Sequence, residues 1–156
     1  MDFSERYIKM CEQARELQEG WKPQKGDWYY AEGGEGEFSV DTYTDEPAVW
    51  KGRIFLVGNN YRDGYEHPDE YLSADKRAWL PRQDQLLEMW LKWRTVPFPI
   101  ILVHLKFFWE EGPYWDKIYT FASMEQFLLA FVMWQLYCKV WDEDKEDWVK
   151  LEECDD

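Results

Sequence analysis

Ser123-Met124-Glu125-Gln126-Phe127-Leu128-Leu129-Ala130-Phe131-Val132-Met133-Trp134 is the stretch that decides the fold. It opens with a capping box. The Ser123 hydroxyl can accept from the Gln126 amide, and the Gln126 side chain can reach back to the start of the helix. From Phe127 to Trp134 the residues are apolar on nearly all sides, which predicts a central buried helix running to about Cys138. Beyond it, residues 139–141 and 147–151 read as two short strands of a hairpin, and residues 152–156 as a frayed tail.

Toward the N-terminus, the spacing predicts a helix over residues 82–93. Pro81 opens it, and Leu86, Leu87, Trp90 and Trp93 form its buried face. Pro97 and Pro99 separate it from residues 100–111, which read two ways. The Ile101/Leu105/Phe108 spacing suits a helix and the alternation from Val103 to Phe107 suits a strand; length favours the helix. Another helix is predicted over residues 3–18, with Asp2 and Ser4 as N-caps. Phe3, Tyr7, Cys11, Ala14 and Leu17 form its apolar stripe, and Gly20 stops it. Residues 21–26, with Pro23, connect it to a middle rich in Trp, Tyr, Phe, Val and Thr. Strands are predicted there at residues 27–31, 37–44, 49–58 and either 71–72 or 77–80, with turns at 33–36, 45–47 and 59–64. A meander is the simplest path. The expectation is one α+β domain over residues 1–156: an N-terminal helix, an antiparallel β-meander, C-terminal helices around a buried central one, and a final short hairpin.

Composition narrows function by exclusion. The 156 residues carry 32 acids against 18 Lys and Arg, a net charge of −14. That charge repels phosphate backbones and anionic bilayers, so direct nucleic-acid and membrane binding are disfavoured and a basic protein partner is favoured. By segment, residues 1–34 carry −2, 35–75 carry −7, 76–122 carry +2 and 123–156 carry −7. The pattern permits an acidic face. The three cysteines, Cys11, Cys138 and Cys154, have no CxxC spacing and do not resemble a secreted disulfide framework. There is no apolar signal-peptide core and no run of about 18 apolar residues. Cytoplasmic residence is the expectation. The aromatics are numerous, at 11 Trp, 10 Tyr and 9 Phe. Most are expected in the core, and a surface subset is expected to bind a ligand or anchor a partner.

No recognisable catalytic constellation appears. His67 sits in a polar loop and His104 in an apolar run, and neither has metal-ligand spacing to a cysteine. The Gly33-Gly34-Glu35-Gly36 cluster lacks the lysine and helix of a phosphate loop and reads as a hairpin turn. Asp41 with Asp45, or Glu66 with Asp69 and Glu70, could hold a hard cation, but no EF-hand pattern is present. The expectation is therefore no metal, no cofactor and no enzyme, though an enzyme is not excluded. The candidate partner-binding residues lie in the acidic C-terminal run: Asp142, Glu143, Asp144, Glu146, Asp147, Glu152 and Glu153, with Trp141 and Trp148 as apolar anchors. Spaced carboxylates can imitate phosphates in an Arg/Lys-lined channel, and opposite charge speeds association. The competing account is a solvated hairpin.

Two stretches carry a resemblance. Trp79-Leu80-Pro81-Arg82-Gln83-Asp84-Gln85-Leu86-Leu87-Glu88-Met89 is one. Phe121-Ala122 with Ser123 to Met133, continuing to Lys139-Val140-Trp141-Asp142, is the other. Together with the first helix leading to Trp21-Lys22-Pro23 and Gly26-Asp27, the chain resembles a group of small uncharacterised proteins encoded by phages and prophages of Gram-positive bacteria. The β-rich middle is not matched, and an acidic insert at residues 143–147 replaces the group's short Asp-Gly turn. The resemblance brings no activity and no functional residues. It implies a phage setting, in which small acidic proteins often inhibit host enzymes, including nucleic-acid-guided immune nucleases. The leading expectation is a non-enzymatic phage accessory protein that binds and inhibits a basic host protein, plausibly such a nuclease, by an anti-CRISPR-like route. The alternatives are a small-ligand protein or enzyme with an aromatic-lined pocket, and a homo-oligomeric assembly module.

Overall fold

A computed structural model describes residues 1–22, 24, 26–31, 53–56, 77–115 and 121–152. The predicted strands at 37–44 and 71–72, the three turns of the middle, His67 and the carboxylates at 41, 45, 66, 69 and 70 lie outside these residues. The order is α1 (Glu5–Gln13), α2 (Arg15–Gly20), β1 (Trp28–Ala31), β2 (Arg53–Leu56), β3 (Arg77–Leu80), α3 (Gln83–Arg94), α4 (Phe98–Glu111), α5 (Met124–Tyr137), β4 (Lys139–Asp142) and β5 (Asp147–Lys150). The α+β class is therefore as expected, and residues 100–111 are helical.

Helix α5 is the centre. Its Ser123 cap forms as predicted, the hydroxyl accepting from the Gln126 amide at 3.1 Å. The Gln126 side chain does not close the box on Ser123. Its carbonyl accepts from Ala122 N at 3.2 Å, and its amide donates to Asp2 at 2.8 Å and Ser4 at 3.2 Å. Asp2 also accepts from the Ser123 hydroxyl and from Ser4 N, so the chain's first residues lock the start of α5. Eight residues of α5 are buried, Glu125 and Gln126 among them. Glu125 lies 3.0 Å from the Met1 ammonium. Helices α3 and α1 pack on α5, and α1 also contacts β3 and β5, so the first and last elements share one core. Within it Cys11 is a free, fully buried thiol.

The predicted single N-terminal helix is two. It breaks at Ala14 (φ −78°, ψ 62°). The break has a visible partner: the Gln18 side chain donates to Cys11 O at 2.8 Å and to Trp79 O at 3.1 Å, and accepts from Trp79 N at 2.7 Å. Gln18 thus acts as a surrogate strand residue along β3, covering backbone groups that an edge strand would leave unpaired. The sheet is antiparallel, as expected, in the order β2-β1-β3 among the described strands. The first strand sits between the other two, where strictly sequential pairing would place the second; β1 pairs along its whole length with both neighbours. Asp27, just before β1, is buried and accepts from Trp21 Nε1, Gln24 N and Gln85 Nε2, which ties the connector to α3. On α3, Leu86 and Trp90 are buried as predicted, Leu87 is half-buried, and Trp93 is exposed.

Candidate functional site

The hairpin that carries the predicted partner-binding residues is present, with Trp141 opposite Trp148 and Asp142 opposite Asp147. Its two tryptophans are not surface anchors. Both are buried, and their rings meet edge to face with centroids 5.3 Å apart. Trp148 Nε1 donates to Met10 O at 2.8 Å. The reason is the two-residue period of a strand: directly opposed positions point to one face, and here that face meets α1. The same register could have signalled this, because two large rings flanking one turn are the hairpin's natural inward pair.

The carboxylates around the turn are partly structural. Asp142 accepts from the amides of Asp144 (3.0 Å) and Lys145 (3.2 Å), and Lys145 Nζ lies 2.9 Å away. Hydrogen bonding from Lys145 lowers the Asp142 pKa. Asp147 accepts from Trp148 N at 2.7 Å, and Glu143 pairs with Arg6. Glu143, Asp144, Glu146 and Glu152 are exposed. Glu153 lies outside the described residues, as does nearly all of the other acidic segment at 35–75. The hairpin therefore supplies exposed negative charge beside α1 but no apolar anchor.

Those anchors are on α4. This helix is as apolar as α5, yet only Ile101 and Phe108 are buried. Phe108 is its peg, with its ring centroid 5.2–5.8 Å from those of Phe127, Trp134, Phe131 and Tyr114. His104 is half-buried and packs on the Trp90 indole, with ring centroids 4.9 Å apart. At 100° per residue, Ile101, His104, Leu105 and Phe108 share the inward side. Phe98, Leu102 and Trp109 flank it on one side and Ile100, Val103 and Phe107 on the other. All six are exposed, Leu102 and Val103 by about 60%. The Lys106–Glu110 pair, 3.6 Å apart, marks the outermost ridge. Trp93 before the helix and Trp115 after it are also exposed. With aromatic side chains at about 150–250 Å² each, these eight residues present roughly 800 Å² of apolar surface. Summed over both flanks, that is about the area of one side of a standard protein interface. The sequence signal was available: with Lys106 and Glu110 confined to one narrow ridge, most of the helix's circumference is apolar and calls for a cover.

Among the described residues no group of three or more His, Cys, Asp or Glu could hold a metal, and no helix is long and apolar enough to cross a membrane. Cys138 is disulfide-bonded, which the cysteine spacing did not lead us to expect. Comparison with known proteins finds no match to the chain among family models, curated proteins or solved structures.

Proposed function

We propose that the chain is a non-enzymatic binding protein that docks on a partner through α4, and that the partner presents an apolar groove with a basic rim. The observation that carries this is the double apolar flank of α4, an area sized for one partner of a stable complex. The net charge of −14 supports a basic rim, because charge complementarity steers encounter and rejects acidic partners. It also disfavours a second copy of this chain as the occupant. A nucleic-acid-guided defence nuclease of a bacterial host cell comes first among partner classes, since its Lys/Arg-lined channel supplies that charge. An inhibitor encoded by a phage and acting in the host cytoplasm is the setting that goes with it. In this reading α4 supplies the affinity, and exposed acids such as Asp144 and Glu146 set the on-rate and its salt dependence.

The test is inhibition of purified guided nucleases across a salt series, with Leu102→Asp/Phe107→Asp and Asp144→Lys/Glu146→Lys variants. The expected result is inhibition abolished by the first pair and slowed, with a flatter salt dependence, by the second. A dimer in light scattering that Leu102→Asp dissolves would replace the foreign partner with a second copy. Strong destabilisation of the free monomer by Leu102→Asp would mean that the chain covers α4 itself, and would overturn the proposal.

A further inference from the structure

The start of α5 carries a second device, separate from the α4 flanks. Glu125 stands in its first turn and is only 5% exposed. A carboxylate that deep is costly unless a positive charge answers it. Among the described residues that charge is the α-amino group of Met1, 3.0 Å from Glu125 Oε1. The Gln83 side chain hydrogen-bonds to the same carboxylate but brings no charge.

The amine is held there by its neighbour. The Asp2 carboxylate accepts from Ser4 N, the Ser123 hydroxyl and Gln126 Nε2. The first peptide unit cannot swing away from α5 without giving up these bonds. Met1 is itself oriented: its side chain is 13% exposed and the whole residue 42%. The side chain is therefore packed, and solvent reaches the residue from its backbone end, which carries the amine.

We propose that the Met1 α-amine is a modification site through which the fold senses acylation of its own terminus. Acyl transfer from a thioester donor such as acetyl-CoA forms the amide C–N bond and breaks the C–S bond. Of the ammonium's three hydrogens the amide keeps one, the departing thiolate takes one and solvent takes the third. The amide still donates one hydrogen bond but carries no charge. Glu125 is left as a buried carboxylate without its counter-ion, in the helix that centres the core. The dipole of α5 favours a negative charge at that end and offsets part of the cost, so acylation loosens the start of α5 without unfolding the chain.

The experiment compares the full chain with a free and an Nα-acetylated Met1, in the parent and in Glu125→Gln, by thermal melting and amide exchange. Co-expression with an N-terminal acetyltransferase supplies the acetylated form, and peptide mass places the acetyl group on Met1. In the parent, acetylation is expected to lower the melting midpoint by about 3–6 °C and to speed amide exchange in the first turn of α5 about tenfold. In Glu125→Gln, where no charge needs answering, the midpoint is expected to move by less than about 1 °C. A simple loss of packing would instead cost the same in both backgrounds. Should Glu125→Gln fold poorly, selective dimethylation of the parent's α-amine gives the second reading. It adds similar bulk and leaves one N–H, as acetylation does, but keeps the positive charge, and is expected to leave exchange in α5 unchanged. Equal shifts in both backgrounds, no shift in the parent, equal effects of acetylation and dimethylation, or an isolated protein in which the Met1 amine is not the terminus overturn the proposal. The α4 variants are expected to show the same acetylation shift as the parent, so this result is independent of the docking reading.

Discussion

Helices α4 and α5 follow one another in the chain, are the same length and are equally apolar, yet α5 buries eight residues and α4 two. The difference lies in their neighbours. Helix α5 has α1, α3 and β4 around it, and its N-terminus is held by Asp2 and Ser4. Helix α4 is pegged at Ile101, His104, Leu105 and Phe108, and six large apolar residues on its two flanks are exposed. Apolarity thus states that a helix will be covered; the rest of the fold determines what is left over for something else to cover.

The largest effect that would break this contrast is expected from Phe108→Ala. It empties the centre of a five-ring cluster and should lower stability by about 3–5 kcal/mol, read by urea denaturation. A loss below about 1 kcal/mol would show that α4 does not depend on its peg. Gly112→Ala comes next. A Cβ there would lie 2.3 Å from Phe108 O, and a backbone atom cannot move aside as a flexible side chain does. About 1–3 kcal/mol should be lost, with α4 frayed at its C-terminus by amide exchange. Ser123→Ala removes the α5 cap and should lose about 1 kcal/mol; no change would mean that Asp2 alone holds the terminus.

Acid sharpens the same point. At Asp2, burial would raise the pKa but hydrogen bonds from Ser123, Ser4 and Gln126 outweigh it, leaving it lowered. At Glu125, burial is likewise outweighed, by the Met1 ammonium and further hydrogen bonds. A lowered carboxyl binds protons more readily when unfolded. These two groups therefore stabilise the fold above their ordinary values of 3.8 and 4.5 and lose that effect as pH falls below them. A thermal melt series from pH 7 to pH 2.5 should show the midpoint falling at the acid end, with a shallower fall for Asp2→Asn. The smallest stability effect is the most telling. Leu102→Ser should stay within about 0.5 kcal/mol of the parent chain, whereas the α5 counterpart Leu129→Ser should be severely destabilised.

Much of the architecture was legible because it rests on local rules. The Ser123 cap, the stripe at Tyr7 and Cys11, Pro81 before α3 and the acidic turn between β4 and β5 each announce themselves within a few residues. What was not legible depends on distant partners. The break at Ala14 answers to Trp79, and the second half of the Ser123 box to Asp2. Trp141 and Trp148 could be read as anchors only while α1 was not known to lie against them. Trp93 continues the stripe of α3 yet is exposed. Sequence spacing identifies a face; it does not say how far the opposing surface extends.

Cys11 has a practical consequence. Burial pushes its thiol well above the ordinary value, and alkylating reagents attack the thiolate. In native buffer its modification must wait for α1 to lift from the hairpin and α5. The labelling rate at this one site, followed by mass spectrometry, is then a stopwatch for that opening. Timed with and without a bound partner, it reports whether covering α4 slows the opening of α1.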